Sequence, residues 1–338
     1  MNPRLAFLRT AALTACLGTA LPAGAQTPVE INFATAYSVD NFHTKNLQQY
    51  ADEVRRATAD KVAMRVHAAG SLIKPGEIFA GVREGKAEAG EVIMSSLANE
   101  SPLFGIDALP FIVSGYADAR HMWNASRPAI DKALAARGLQ LLYAVPWPPQ
   151  NLYSQPAINA VGNLKGLRMR AYNPATVRIA ELVHARPVSI QVVDLAKAIA
   201  DGQLELMITS SSTGVETKAW TRLGHYYKVN AWIPKNIVFI NKTTFGKLDA
   251  ASRTILLDLA RNAEERGWKL SENSDREYEA QLAANKINVS TMDFFMRQYL
   301  DRIGEKLARE WLKQAGNDEW KVLLQYTTER SQQTPAVR

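Results

Sequence analysis

Between Val29 and Met94 the chain alternates two hydrophobic periods, and this alternation restricts its fold more than any other feature. Val29, Ile31 and Phe33 alternate with polar residues, as do Val62, Met64 and Val66, the period of strands with one buried face. Between them Leu47, Ala51, Val54 and Thr58 share one face at helical spacing. A helix holding Ile78 and Val82 closes near Gly85, and Val92-Ile93-Met94 reads as a buried strand leading into Ser95-Ser96. The β-α-β-α-β order implies an α/β domain with a largely parallel sheet. At 338 residues the chain can build two domains of ordinary size, each with its own core.

Leu109-Pro110-Phe111 interrupts the rhythm, and a helix over Ala117 to Trp123 is expected to stop by Pro128. Leu139, Leu141 and Leu142 mark a strand that runs into Val145-Pro146-Trp147-Pro148-Pro149-Gln150-Asn151. Consecutive prolines do not fit a sheet centre, so this stretch reads as a rigid crossing between domains. Beyond it, Leu167 and Met169 alternate with arginines up to Arg170. Asn173 then suits an N-cap and Pro174 the first helical position, followed by Val177, Ile179, Ala180, Leu182 and Val183. Val188 and Ile190 form a strand, Leu195 to Ile199 a short helix stopped by Gly202, and Leu204, Leu206 and Ile208 another strand. That strand delivers Thr209-Ser210-Ser211-Ser212-Thr213-Gly214, a hydroxyl-rich loop. Trp220, Tyr226, Tyr227 and Trp232 read as core before a strand over 237–240. Asp249 caps a helix of ~36 residues, roughly 54 Å long, which exceeds one domain and should run along both. Tyr299, Ile303, Leu307 and Trp311 mark a last amphipathic helix.

The segment from Gly166 to Pro174 carries the strongest chemical signal. Arg170 stands at the carboxyl end of a strand, a few residues before a helix N-terminus. Ligands of open α/β sheets bind at such ends, and free N–H groups with the helix dipole favour an anion. The plain alternative is a solvated guanidinium, with Asn173 acting only as a cap. Ser95, Ser210 and Ser211 follow other strand ends, where hydroxyls can hydrogen-bond a carboxylate. Tyr37, Trp147 and Tyr172 lie in loops near the same region, with Gln150 in the crossing. Their rings either stack on a ligand or pack within the domains.

Arg4 and Arg9 precede an apolar stretch, Ala11 to Leu21, and Ala23-Gly24-Ala25 is a small-x-small cleavage site. Residues 1–25 thus read as a secretory signal peptide, with soluble export to the periplasm. Leu13-Thr14-Ala15-Cys16 also resembles a lipobox, a lipid anchor being the less favoured alternative. Cys16 is the only cysteine, so cleavage removes every route to disulfides, thiolate catalysis and cysteine–zinc sites. The leader holds two basic residues, which takes the formal charge from +7 to about +5. Basic residues are interspersed with acids, without a nucleic-acid-binding run. The five histidines show no metal-ligand spacing, and neither a nucleophile elbow nor a complete P-loop is present. No metal or cofactor is expected. An exported hydrolase or isomerase acting on a small carboxylate is the competing reading.

His43-Thr44, Ala68-Ala69-Gly70-Ser71-Leu72, Gly85-Lys86-Ala87-Glu88-Ala89-Gly90, Leu109-Pro110-Phe111 and Leu164-Lys165-Gly166-Leu167-Arg168-Met169-Arg170 together resemble the substrate-binding proteins of tripartite ATP-independent periplasmic (TRAP) transporters, the DctP-like family. The resemblance covers nearly the whole chain after the leader. It implies a two-lobed α/β binding-protein fold, each lobe a mixed sheet flanked by helices, with a long helix spanning both. Lobe I would comprise 26–147 plus about 236–270, and lobe II 148–235 plus about 271–338. It also implies that Arg170 binds a substrate carboxylate, with Asn173 in support, and that small and large TRAP permease subunits are the partners. Where the family often shows Asp-Gly-x-Glu-Asn, this chain has Glu205 to Ser211, so Ser210 or Ser211 would replace an amide contact. A second arginine used by sialic-acid-type members has no counterpart near Trp147 and Gln150, which points to a less polar ligand, an apolar or aromatic 2-oxo or 2-hydroxy acid.

Overall fold

The computed structural model describes residues 28–333; the leader, its cleavage site and Cys16 lie outside the described residues. The first stretch builds β1 (Val29–Thr35), α1 (Phe42–Ala57), β2 (Val62–His67), α2 (Ile78–Arg83), β3 (Ala89–Ile93), α3 (Tyr116–Ala135) and β4 (Leu139–Pro146). Next come β5 (Asn151–Ser154), β6 (Arg168–Ala171), α4 (Pro174–Leu182), β7 (Arg186–Ser189), α5 (Val192–Ala200), β8 (Leu206–Thr209), α6 (Ser211–Glu216) and β9 (His225–Lys228). The chain ends with β10 (Lys235–Asn241), α7 (Lys242–Lys247), α8 (Ala250–Ala284), β11 (Asn288–Thr291), α9 (Phe294–Leu312) and α10 (Asn317–Gln333).

These strands form two separate mixed sheets, ordered β2-β1-β3-β10-β4 and β11-β9-β5-β8-β6-β7. In the first, β1 pairs in parallel with β2 and β3, as the opening rhythm requires. The intruder is β10, which returns from the second sheet and lies antiparallel between β3 and β4. The expected two-lobed α/β architecture is therefore present. Two short crossings join the lobes, 147–150 and 229–234, and they are zipped together. Trp147 N–H donates to the Pro234 carbonyl at 2.8 Å, Gln150 N–H to the Trp232 carbonyl and Ala231 N–H to the Gln150 carbonyl. Prolines are tolerated here because the link is an extended pair outside either sheet.

Helix α8 runs 35 residues from its Asp249 cap. It packs on α1 and β4 of the first lobe and on α6 and β11 of the second. Close approach depends on Gly267, where an added Cβ would collide with Val145.

Three local expectations are corrected. Pro128 lies inside α3 rather than ending it. The lost bond and ring clash of an interior proline cost about 3 kcal/mol, but Met122, Trp123, Ile130 and Leu134 are all fully buried on either side. Their burial outweighs the local penalty. The hydroxyl-rich loop is mostly helix: Ser210 caps α6 by accepting from Thr213 N–H. Finally, α9 is not the last helix. The following α10 was expected with lobe II, yet Val322 and Tyr326 are buried in the first lobe's core, and the Tyr326 hydroxyl donates to Asp118 at 2.8 Å.

Candidate functional site

The carboxyl ends of strands from both sheets face a cavity of about 210 Å³ between the lobes. The first lobe contributes Ala36 and Tyr37 after β1, Glu91 to Ile93 from β3, and Ser96. From the second come Arg170 and Tyr172 around the end of β6, Gln191 and Val192 after β7, and Thr209, Ser210 and Thr213 at and after the end of β8. Trp147 and Gln150 of the crossing close one side.

Arg170 is 4% exposed. Its Nε donates to the Ile190 carbonyl at 3.1 Å, and its guanidinium lies over the Tyr172 ring, 4.8 Å from the centroid. Among the described residues no carboxylate forms an ion pair with it. Burial pulls the guanidinium down to about 10, partly opposed by Tyr172 and Tyr37, so it remains a cation at neutral pH. A buried cation lining a cavity without an anion is costly. Its free N–H groups form a planar fork suited to a carboxylate.

The aromatic alternatives resolve into both roles at once. Tyr37, Trp147 and Tyr172 all border the cavity, while Tyr37 and Trp147 also belong to the first core. Their polar ends are committed: the Tyr37 hydroxyl and Trp147 Nε1 donate to Asn236 Oδ1 at 3.1 and 2.8 Å. The Tyr172 hydroxyl donates to Gln150 Oε1 at 3.3 Å. Burial pushes the Tyr37 and Tyr172 phenols well above their ordinary range, so both stay neutral. The wall is more polar than the sequence reading expects, because Glu91, Gln150, Gln191, Thr209 and Thr213 share it with the rings.

Three sequence-predicted residues do not border the cavity. Ser211 Oγ donates to Asp275 Oδ1 on α8 at 2.6 Å, because the first turn of α6 turns that side chain toward the long helix. Asn173 is used twice. Its Oδ1 accepts from Thr176 N–H at 2.8 Å as the α4 cap, and its Nδ2 donates to Ser95 Oγ at 2.8 Å. That second bond ties the lobes together, beside the one from Asn41 Nδ2 to Glu216. Ser95→Ala should therefore leave the α4 cap intact and weaken ligand affinity about fivefold, one hydrogen bond of closure. Asn173→Ala should show the same affinity loss and a further stability loss of about 1 kcal/mol from the cap. Calorimetric titration and denaturant melts read the two separately; equal stability losses in both variants would contradict this division of roles.

The residues that sequence reasoning misses are Glu91, Gln191 and, behind the wall, Asn236; Thr209 and Thr213 enter it only as part of the hydroxyl-rich loop. One signal was available: Glu91 precedes Val92-Ile93-Met94, and an acid inside a buried strand is seldom there for packing.

Two lobes joined by paired crossings, closing on a buried and unpaired arginine, define a solute-binding protein. The chain belongs to the DctP family, described as bacterial extracellular solute-binding protein family 7, which it matches over residues 33–314. It is 37% identical to DctP6, a Bordetella pertussis extracytoplasmic solute receptor binding pyroglutamic acid, with 88% of this chain and 99% of the receptor covered and a TM-score of 0.86. A TRAP solute-binding protein of a marine metagenome, solved with co-purified pyroglutamate, is 35% identical over 89% of this chain and 99% of its own, with a TM-score of 0.87. The Haemophilus influenzae protein with bound L-gulonate is 18% identical over 88% and 98% of the two chains, TM-score 0.81, a likeness of fold alone. The solved relatives are receptors for small carboxylates, and the family is extracytoplasmic.

Proposed function

We propose that this protein captures a small cyclic carboxylate of the pyroglutamate type in the periplasm and hands it to a TRAP permease of small and large membrane subunits. The carrying observation is Arg170, a buried guanidinium without an acidic partner among the described residues, lining the cavity between the lobes. The ligand carboxylate takes two parallel N–H···O bonds from the fork. Tyr37, Trp147 and Tyr172 flank its ring, while Ser210, Gln150 and the hydroxyls after β8 offer polar contacts. Ser95, Asn173 and Ser211 act behind this wall. Closure turns on the crossings at 147–150 and 229–234, dividing the chain into lobes near the boundaries given above, with α10 on the first. Water leaves as the lobes meet, which strengthens the arginine–carboxylate pair.

The likeness to two receptors for pyroglutamate supports this ligand class. The role is carriage rather than catalysis, with export through the 1–25 leader. Pyroglutamate at one hundred times its Kd should stabilise the protein by about 2.7 kcal/mol, and it should be recovered chemically unchanged. A melting temperature indifferent to every small carboxylate would refute the receptor reading, and product formation would restore the hydrolase or isomerase.

A further inference from the structure

We infer that Glu91 is the specificity-determining acceptor of the cavity, reading an N–H on the ligand and selecting lactam carboxylates over isosteres that carry oxygen or carbon in its place. This rests on the receptor reading above and assigns the opposite wall of the same site.

Glu91 lies in β3, is 1% exposed, and borders the cavity. Its Oε2 accepts from Thr35 Oγ1 at 2.7 Å and its Oε1 from Asn236 Nδ2 at 3.1 Å. His43 Nδ1 is 3.4 Å from Oε1, and burial lowers that imidazole despite the acid beside it. Neither lysine nor arginine pairs with Glu91 among the described residues. The carboxylate is thus held by neutral donors, with the His43 imidazole as a further donor within reach. Asn236 Oδ1 already accepts from both Tyr37 and Trp147, which fixes its Nδ2 toward Glu91. Two strong donors leave acceptor capacity unused on a carboxylate, and the residue borders the cavity.

Arg170 comes from the second sheet and Glu91 from the first, so a bound molecule meets a cation on one lobe and an anion on the other. An acid anchored at Arg170 by its carboxylate satisfies Glu91 only if another edge presents a donor. A ring or carbonyl oxygen there would set lone pairs against the carboxylate, and a methylene would leave it unpaired. Sites built to hydrogen-bond a donor reject analogues that lack one.

The test is calorimetric titration of the full protein with pyroglutamate, its N-methyl derivative and the corresponding γ-lactone acid. Wild type should favour pyroglutamate over the lactone by about 10–100-fold, the range of a charge-assisted hydrogen bond. In Glu91→Gln the lactam and lactone affinities should converge to within about threefold, since Arg170 still anchors both. Equal wild-type binding of lactam and lactone overturns the inference, as does a Glu91→Gln variant that keeps the wild-type ratio. The wild-type comparison needs no variant, so a poorly folding Glu91→Gln does not blunt it. Preference for acids without an N–H overturns this inference while leaving the carboxylate receptor standing; failure of every carboxylate to bind removes both.

Discussion

Replacing Arg170 with methionine is expected to weaken carboxylate binding by about 3–5 kcal/mol, roughly two to three and a half orders of magnitude. The magnitude follows from what the ligand would then meet. Closing the lobes strips water from its carboxylate, and without the guanidinium that charge is buried unpaired. Arg170→Lys should recover only part of the loss, because a point charge cannot form the two parallel bonds and loses the planar contact with Tyr172. The ligand-free protein should behave oppositely. Among the described residues Arg170 has one hydrogen bond, to the Ile190 carbonyl, and a face-on ring, set against the desolvation of a full charge. Methionine of similar length should leave the melting temperature unchanged or higher. Titration and melting of the same preparation read both effects, and a methionine variant binding within a few-fold of wild type would remove Arg170 from the site.

Lys235→Met is expected to destabilise the fold by about 3–5 kcal/mol, for a reason unrelated to ligand. Asp107 and Lys235 are 2% and 1% exposed as residues. Asp107 Oδ2 accepts from the Lys235 backbone N–H at 2.8 Å and lies 3.4 Å from its Nζ. Burial pushes the Asp107 carboxyl up and the Lys235 ammonium down, and each partner opposes the other's shift. Removing the lysine leaves an uncompensated buried carboxylate at the start of β10, where the chain re-enters the first sheet. The double variant Asp107→Asn, Lys235→Met should recover most of the loss, because the amide oxygen still accepts the Lys235-position backbone N–H. The pH dependence has a definite sign. A carboxyl raised above its unfolded value keeps its contribution below that value, near 3.9, and loses it as pH rises through the folded one. The single variant should therefore lie closest to wild type around pH 4 and fall furthest behind near pH 7. Parallel melts across that range check it; a pH-independent deficit would mean lost packing and not an orphaned charge.

Much of the binding chemistry was legible because it is local. Arg170, Asn173 and Pro174 are within five residues, so strand end, cap and first helical turn follow from spacing alone. Tyr37, Trp147 and Tyr172 were placed near the cavity for the same reason: each follows a strand in the chain. Glu91 and Asn236 escaped because their significance is a contact between elements far apart in sequence, β3 and the returning β10. Ser211 failed through helix geometry. The residue after a cap turns by about 100° from it, and one step separates a cavity wall from the side facing α8.

The sequence by itself determined the alternation of strands and helices, the length of α8 from its Asp249 cap, the rigid proline crossing and the arginine at a strand end. These depend on neighbours a few residues away, where period, capping and proline stereochemistry act without reference to the rest of the chain. Tertiary structure alone decided that β10 enters between β3 and β4, that α10 returns to the first lobe, that Pro128 stays helical, and that Glu91 and Arg170 border the same cavity. Each depends on burial shared by segments distant in sequence, and the free energy of removing apolar and charged groups from water belongs to the assembled surfaces rather than to any one stretch.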